Sequence, residues 1–141
     1  MTDSTELFGP SHVASYLETD GEVGYVWKNG TTILLLFTKG RKSGEERINP
    51  LIFQPHGDEF LIVGSRGGTD QPPGWLLNLE AEPKVEIQVK GERFPVRARI
   101  ANAEEKPERW AKMAAVWPDY DDYQERTSRQ IPVVILERRS D

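Results

Sequence analysis

The sequence predicts a mainly β (α+β) domain, a small antiparallel barrel of about six strands with two or three peripheral helices. Three observations carry this. Short β-branched or alternating runs recur along the chain, they come mostly as hairpins, and no strand–helix–strand alternation runs through the 141 residues. A doubly wound parallel sheet is therefore disfavoured. With 37% hydrophobic and 29% charged residues, the composition is that of a folded globular chain and not a disordered one. The length suits one domain, so residues 1–10 are read as a flexible lead-in and 11–141 as a single domain.

Taken in order, Ser11 is a candidate N-cap for a first helix through Val13, Tyr16 and Leu17, which Gly21 would stop. TTILLLFT (31–38) is β-branched and apolar, a buried strand. RINPLIFQ (47–54) is the next, and Pro50 within it implies an edge or a bulge because proline cannot donate to a ladder. PHGDE (55–59) turns the chain into EFLIVGS (59–65). After the loop RGGTDQPPG (66–74), Pro73 opens a short helix over 75–81. KVEIQVK (84–90) alternates with period two and pairs naturally with ERFPVRARIAN (92–102), which Pro95 is expected to break. Trp110, Met113, Ala114 and Trp117 recur at helical spacing, with Pro107 in the first turn. IPVVILE (131–137) closes the set as a final buried strand.

Several classes drop out. The longest apolar run, Ile33 to Phe37, falls far short of the roughly 20 residues that span a bilayer. MTDSTELFGPSH has neither a basic nor an apolar leader region, so the cytoplasm is the default expectation. The chain has no cysteine, which removes disulfides and thiolate chemistry. His12 and His56 lack metal-ligand spacing, so no metal is expected. A net charge of -5 argues against nucleic-acid binding, and no aromatics interleave with the cations as a stacking platform would require.

Against that acidic background, one loop gathers cations. Thr38 to Pro50 carries Lys39, Arg41, Lys42 and Arg47 around Gly40 and Gly44. Glycines let backbone approach a ligand, arginine forks onto phosphate or carboxylate, and lysine adds a point charge. The loop suits a phosphate-bearing ligand, although the spacing is not that of a Walker A loop. The plainer reading is a solvated hairpin loop. A second loop, Ser65-Arg66-Gly67-Gly68, has the same character and leaves a neighbouring strand, so the two would converge on one ligand. Tyr120 and Tyr123 are three apart and share a helical face, offering flat rings and hydroxyl donors or simply capping the core.

Gly40-Arg41-Lys42-Ser43-Gly44 followed by Arg47-x-Asn49-Pro50-Leu51 resembles the hallmark loop of the deazaflavin-dependent nitroreductase family. Ser65-Arg66-Gly67-Gly68, Pro73-x-Trp75-x-x-Asn78-Leu79, Trp117-Pro118-x-Tyr120-x-x-Tyr123 and Ile131-Pro132-Val133 are similar to that family in order and spacing. The likeness runs from about Val13 to Glu137. It implies a split β-barrel of the FMN-binding type and coenzyme F420, an 8-hydroxy-5-deazaflavin with a phosphate and an oligoglutamate tail. It further implies that Arg41, Lys42, Ser43, Arg47 and Pro50 hold the phosphate and tail. Ser65, Arg66, Gly67, Gly74 and Trp75 would line the ring side. Tyr120, Tyr123 and Ser65 would act catalytically, as hydrogen-bond donors in the substrate pocket. The family often has lysine at Arg66, a bulkier residue at Gly74 and, in some members, tyrosine at Ile52.

The expected activity is hydride transfer from the reduced deazaflavin to a planar acceptor: a quinone, a nitroaromatic or an activated enone. The alternatives are an FMN-binding oxidoreductase similar to pyridoxamine-phosphate oxidase and a non-catalytic deazaflavin carrier. Fold-level analogy makes a homodimer an expectation, and a lipid quinone acceptor would favour peripheral membrane contact at the inner face.

Overall fold

The computed structural model describes residues 9–139, so residues 1–8 of the expected lead-in lie outside the described residues. Six strands form one closed antiparallel barrel in the order β1-β2-β3-β6-β5-β4. They are β1 (Thr32–Lys39), β2 (Glu46–His56), β3 (Glu59–Val63), β4 (Lys84–Val89), β5 (Glu92–Ile100) and β6 (Val133–Arg138). Among the described residues there are four α-helices, where two or three were expected: α1 (Pro10–Thr19), α2 (Gly74–Ala81), α3 (Lys106–Val116) and α4 (Asp119–Glu125). The expected helix through Trp117 ends at Val116, and Tyr120 and Tyr123 lie on the separate α4, which has Pro118 at its N-cap.

The apolar run of β1 is explained by burial on both faces. Leu34 and Leu36 point into the barrel, where they meet Phe53, Ile62, Ile87, Phe94 and Leu136. Ile33, Leu35 and Phe37 point outward and are covered by Tyr16 of α1. Helix α2 adds Trp75, Leu76 and Leu79 to the interior cluster. Helices α3 and α4 cover the outer face of β3 and β6, where Met113 and Tyr120 pack on Leu61, Val63, Val133 and Ile135.

Tyr16 fastens α1 to the barrel. Its hydroxyl donates to the Ile33 carbonyl at 3.0 Å and accepts from the Lys90 N–H at 2.6 Å. Helix α1 starts one residue before the expected cap, with Gly9 at the N-cap and Pro10 at N1/N2; Asp20, not Gly21, ends it. A proline with no N–H to satisfy suits the first turn.

Two prolines behave differently from each other. Pro95 does not break β5, which runs unbroken opposite Glu86 of β4 and accepts from the Arg139 N–H at its carbonyl. Pro50 lies opposite Leu35 of β1, while β2 pairs with β3 only over Gln54, Pro55 and His56. The other side of β2 at Pro50 therefore needs no ladder donor. This flank of β2, from Glu46 to Phe53, carries no pairing to β3 and leaves a gap in the wall of the closed barrel.

Candidate functional site

Along that flank runs a cleft of about 1030 Å³. Its wall includes Arg47 to Ile52 of β2, the β1–β2 loop, the loop after β3, the start of α2 and the α3–α4 corner. All the singled-out residues border it: Arg41, Lys42, Ser43, Arg47, Pro50, Ser65, Arg66, Gly67, Gly74, Trp75, Tyr120 and Tyr123. Trp75 is 7% exposed and belongs chiefly to the barrel interior.

The β1–β2 loop is held by its own backbone. The Gly40 N–H donates to Glu45, the Gly44 N–H to Gly40, and the Ser43 hydroxyl accepts from the Glu45 N–H. A Cβ on Gly40 would sit 2.6 Å from Ser43 Oγ, so a side chain there would turn the Ser43 hydroxyl away from the Glu45 N–H. Four cations, Arg41, Lys42, Arg47 and Arg66, line the cleft against one carboxylate, Glu46, which Arg93 engages at 3.2 Å. The Arg47–Glu45 pair, at 3.8 Å between exposed groups, constrains Arg47 little.

The loop after β3 is a left-handed turn. Arg66 has φ 45° and Gly67 φ 64°, and the Gly68 N–H donates to the Ser65 carbonyl at 2.9 Å. A non-glycine residue with this φ is strained, and such strain concentrates at functional sites. Gly68, at φ 80°, admits no side chain: a Cβ there would lie 2.7 Å from Cα and the carbonyl oxygen of Tyr123. The turn and α4 are thus pressed backbone to backbone.

Tyr120 and Tyr123 meet edge to face with ring centroids 6.1 Å apart. Burial, with the neighbouring Tyr123 adding to it, pushes the Tyr120 phenol well above its ordinary value, so it stays protonated. The Tyr123 hydroxyl accepts from the Trp117 indole N–H at 3.4 Å, which leaves its own proton for a ligand. Both rings border the cleft.

Residues outside the expected set also take part. Trp27 and Trp117 stack at 5.7 Å with planes 20° apart and form an aromatic wall. His12 borders the cleft with Nε2 at 2.7 Å from the Gly24 carbonyl, a structural contact. Asn78 of α2 is buried beneath the cationic loop. The one prior signal for Asn78 was its place in the Pro73-to-Leu79 stretch; nothing in the spacing of the tryptophans pointed to a stack. At Gly74 a Cβ would meet nothing within 4 Å, and Ile52 borders the cleft, so both positions leave room.

Among the described residues there is no cluster of metal-ligating side chains, and no helix is long and apolar enough to cross a membrane.

A family model described as F420H(2)-dependent quinone reductase matches residues 10–138. An F420H(2)-dependent quinone reductase of Mycobacterium tuberculosis (strain H37Rv) is 40% identical over 133 residues, covering 91% of this chain and 88% of that protein. The solved structure of an F420-H2 dependent reductase, FDR-A, is 36% identical with a TM-score of 0.69, over 74% of this chain and 93% of that one. A second solved structure, described as a domain-swapped dimer, is also 36% identical with a TM-score of 0.69, over 74% of this chain and 79% of its own.

Proposed function

Because the chain belongs to the F420H(2)-dependent quinone reductase family, we propose that it uses coenzyme F420 to reduce a planar acceptor, a quinone first and a nitroaromatic or activated enone next. The observation that carries this is the gathering of Arg41, Lys42, Arg47 and Arg66 in one cleft of a protein with net charge -5. The residues fit the cofactor. A phosphate and a glutamate tail need cations, and the fixed backbone of Gly40 to Gly44 presents them. A flat ring needs a slot, and Ser65, Arg66, Gly67, Gly74 and the edge of Trp75 border one.

When bound, the reduced deazaflavin supplies a hydride to the acceptor. The chain's own residues do the rest. Arg41, Lys42, Ser43, Arg47 and Pro50 hold the anionic end, and the aromatic wall of Trp27 and Trp117 shields the acceptor from water. Tyr120, Tyr123 and Ser65 donate hydrogen bonds to the acceptor oxygen as negative charge develops there.

The test is a fluorescence titration of the purified protein with coenzyme F420 at two salt concentrations, followed by acceptor reduction. Binding that weakens with salt and turnover with a quinone are expected. No binding at tens of micromolar would sink the reading, and FMN in the same titration is the control.

A domain-swapped dimer among the structural neighbours supports a homodimer here, which light scattering checks. We place the protein in the cytoplasm with loose contact at the inner membrane face; fractionation should find it mainly in the soluble fraction.

A further inference from the structure

Arg129 lies just before β6 and does not line the cleft. Yet its guanidinium engages the turn after β3 three times. Nη1–H donates to the Gly64 carbonyl at 3.2 Å, Nη2–H to Ser65 at 2.8 Å and Nε–H to Thr69 at 2.9 Å. The same segment is tied on either side. Thr127 donates its hydroxyl proton to Asp70 at 2.6 Å. Gln124 of α4 donates to the Arg129 carbonyl at 2.8 Å and accepts from the Ile131 N–H at 2.9 Å.

One side chain thus collects three carbonyls from a single strained turn. The consequence is on the donor side: among the described residues, the N–H groups of Arg66 and Gly67 have no acceptor, and both residues border the cleft. Successive N–H groups in a left-handed turn make a site for a carbonyl oxygen or an anion. We propose that Arg129 is a positioning residue for the ring side of the cofactor site. By gathering the carbonyls of Gly64, Ser65 and Thr69, it leaves the Arg66 and Gly67 N–H groups to the carbonyl oxygens of the deazaflavin's pyrimidine ring. This rests on the F420 reading above. Because Gln124 links the segment to α4, Arg129 also sets the spacing between the ring side and the tyrosine wall.

A lysine keeps the charge but cannot fork onto three carbonyls. The full-length protein and its Arg129→Lys and Arg129→Gln variants are compared in two ways. Hydrogen–deuterium exchange without ligand reads the Gly68 and Thr69 amides, which donate to Ser65 and Arg66. Fluorescence titration reads affinity for F420 and for the tail-free deazaflavin that lacks the phosphate and glutamates. In both variants we expect exchange at 64–70 to rise and affinity for the tail-free ring to fall, each by about tenfold. The salt dependence of F420 binding should be unchanged. Lysine behaving as wild type in both readouts overturns the proposal, as does faster exchange with unchanged ring affinity. If Arg129→Gln does not fold, Arg129→Lys alone decides. Wild-type protein that binds neither deazaflavin sinks the F420 reading and the ring-side claim with it, while intact binding with unaffected variants sinks this inference alone.

Discussion

Asn78 Oδ1 accepts from Arg41 twice, from the backbone N–H at 3.1 Å and from the guanidinium at 3.2 Å. Its own amide donates to the Thr38 hydroxyl at 3.1 Å. One buried side chain on α2 therefore sets both the path of the cationic loop and the direction of its first cation. Asn78→Ala should lower stability by about 1–3 kcal/mol, because it leaves loop donors without their acceptor. It should also weaken F420 binding. Urea denaturation and the fluorescence titration check the two effects separately.

Arg41 and Lys42 are exposed, so their removal should cost little stability. The Arg41→Ala, Lys42→Ala pair should bind F420 roughly tenfold to a hundredfold more weakly, since each loses a charge-assisted contact. The salt dependence should flatten as well. An unchanged dissociation constant at low salt would remove the tail-binding role.

The left-handed turn gives two substitutions with opposite expected signs. Arg66→Gly relieves the strain of φ 45° and should raise stability by about 1 kcal/mol while weakening cofactor binding. Gly68→Ala places a Cβ 2.7 Å from the Tyr123 backbone at φ 80° and should cost about 2–4 kcal/mol. Thermal melts of both variants settle the signs.

Tyr120→Phe combined with Tyr123→Phe should keep cofactor affinity and lower kcat by roughly tenfold to a hundredfold, as loss of donors to developing charge does. Steady-state kinetics with a quinone and a nitroaromatic give the comparison. Unchanged turnover on every active acceptor would show the donor assignment to be wrong.

Alkaline stability should depend on Tyr16. Burial pushes its phenol from an ordinary 10.0 up to about 12, against the opposing hydrogen bond from Lys90. A raised folded-state pKa means the unfolded chain ionises first. The stabilisation is complete below pH 10 and is lost as pH climbs from 10 toward 12, amounting to something on the order of 2 kcal/mol. Tyr16→Phe should be less stable at pH 7 and should lose less between pH 10 and 12. Denaturant midpoints measured across that range test it.

Much of the barrel was legible from the chain. Period-two alternation marked β4, a doubly apolar run marked β1, and Pro50 announced a flank without ladder bonds, because these are local consequences of backbone geometry. Helix ends were less so. Gly9 and Pro10 displaced the expected Ser11 cap, since competing caps differ by less free energy than the packing that selects among them. Pro95 stayed within β5 because it pairs with Glu86 of β4 on one side and lies before the β5–β6 register, which begins at Val96, on the other.

The residue types at the cleft could be named beforehand because charge, glycine spacing and paired tyrosines are properties of short stretches. Their arrangement could not. Asn78 lies 37 residues from Arg41, Arg129 lies 64 from Ser65, and Trp27 meets a tryptophan 90 positions away. Such contacts arise only when barrel closure brings α2, the turn after β3 and the α4–β6 segment around one gap. Hydrogen bonds and ring stacking act over a few ångströms, so they report on neighbours in space, and chain order does not specify those neighbours until the strands have paired.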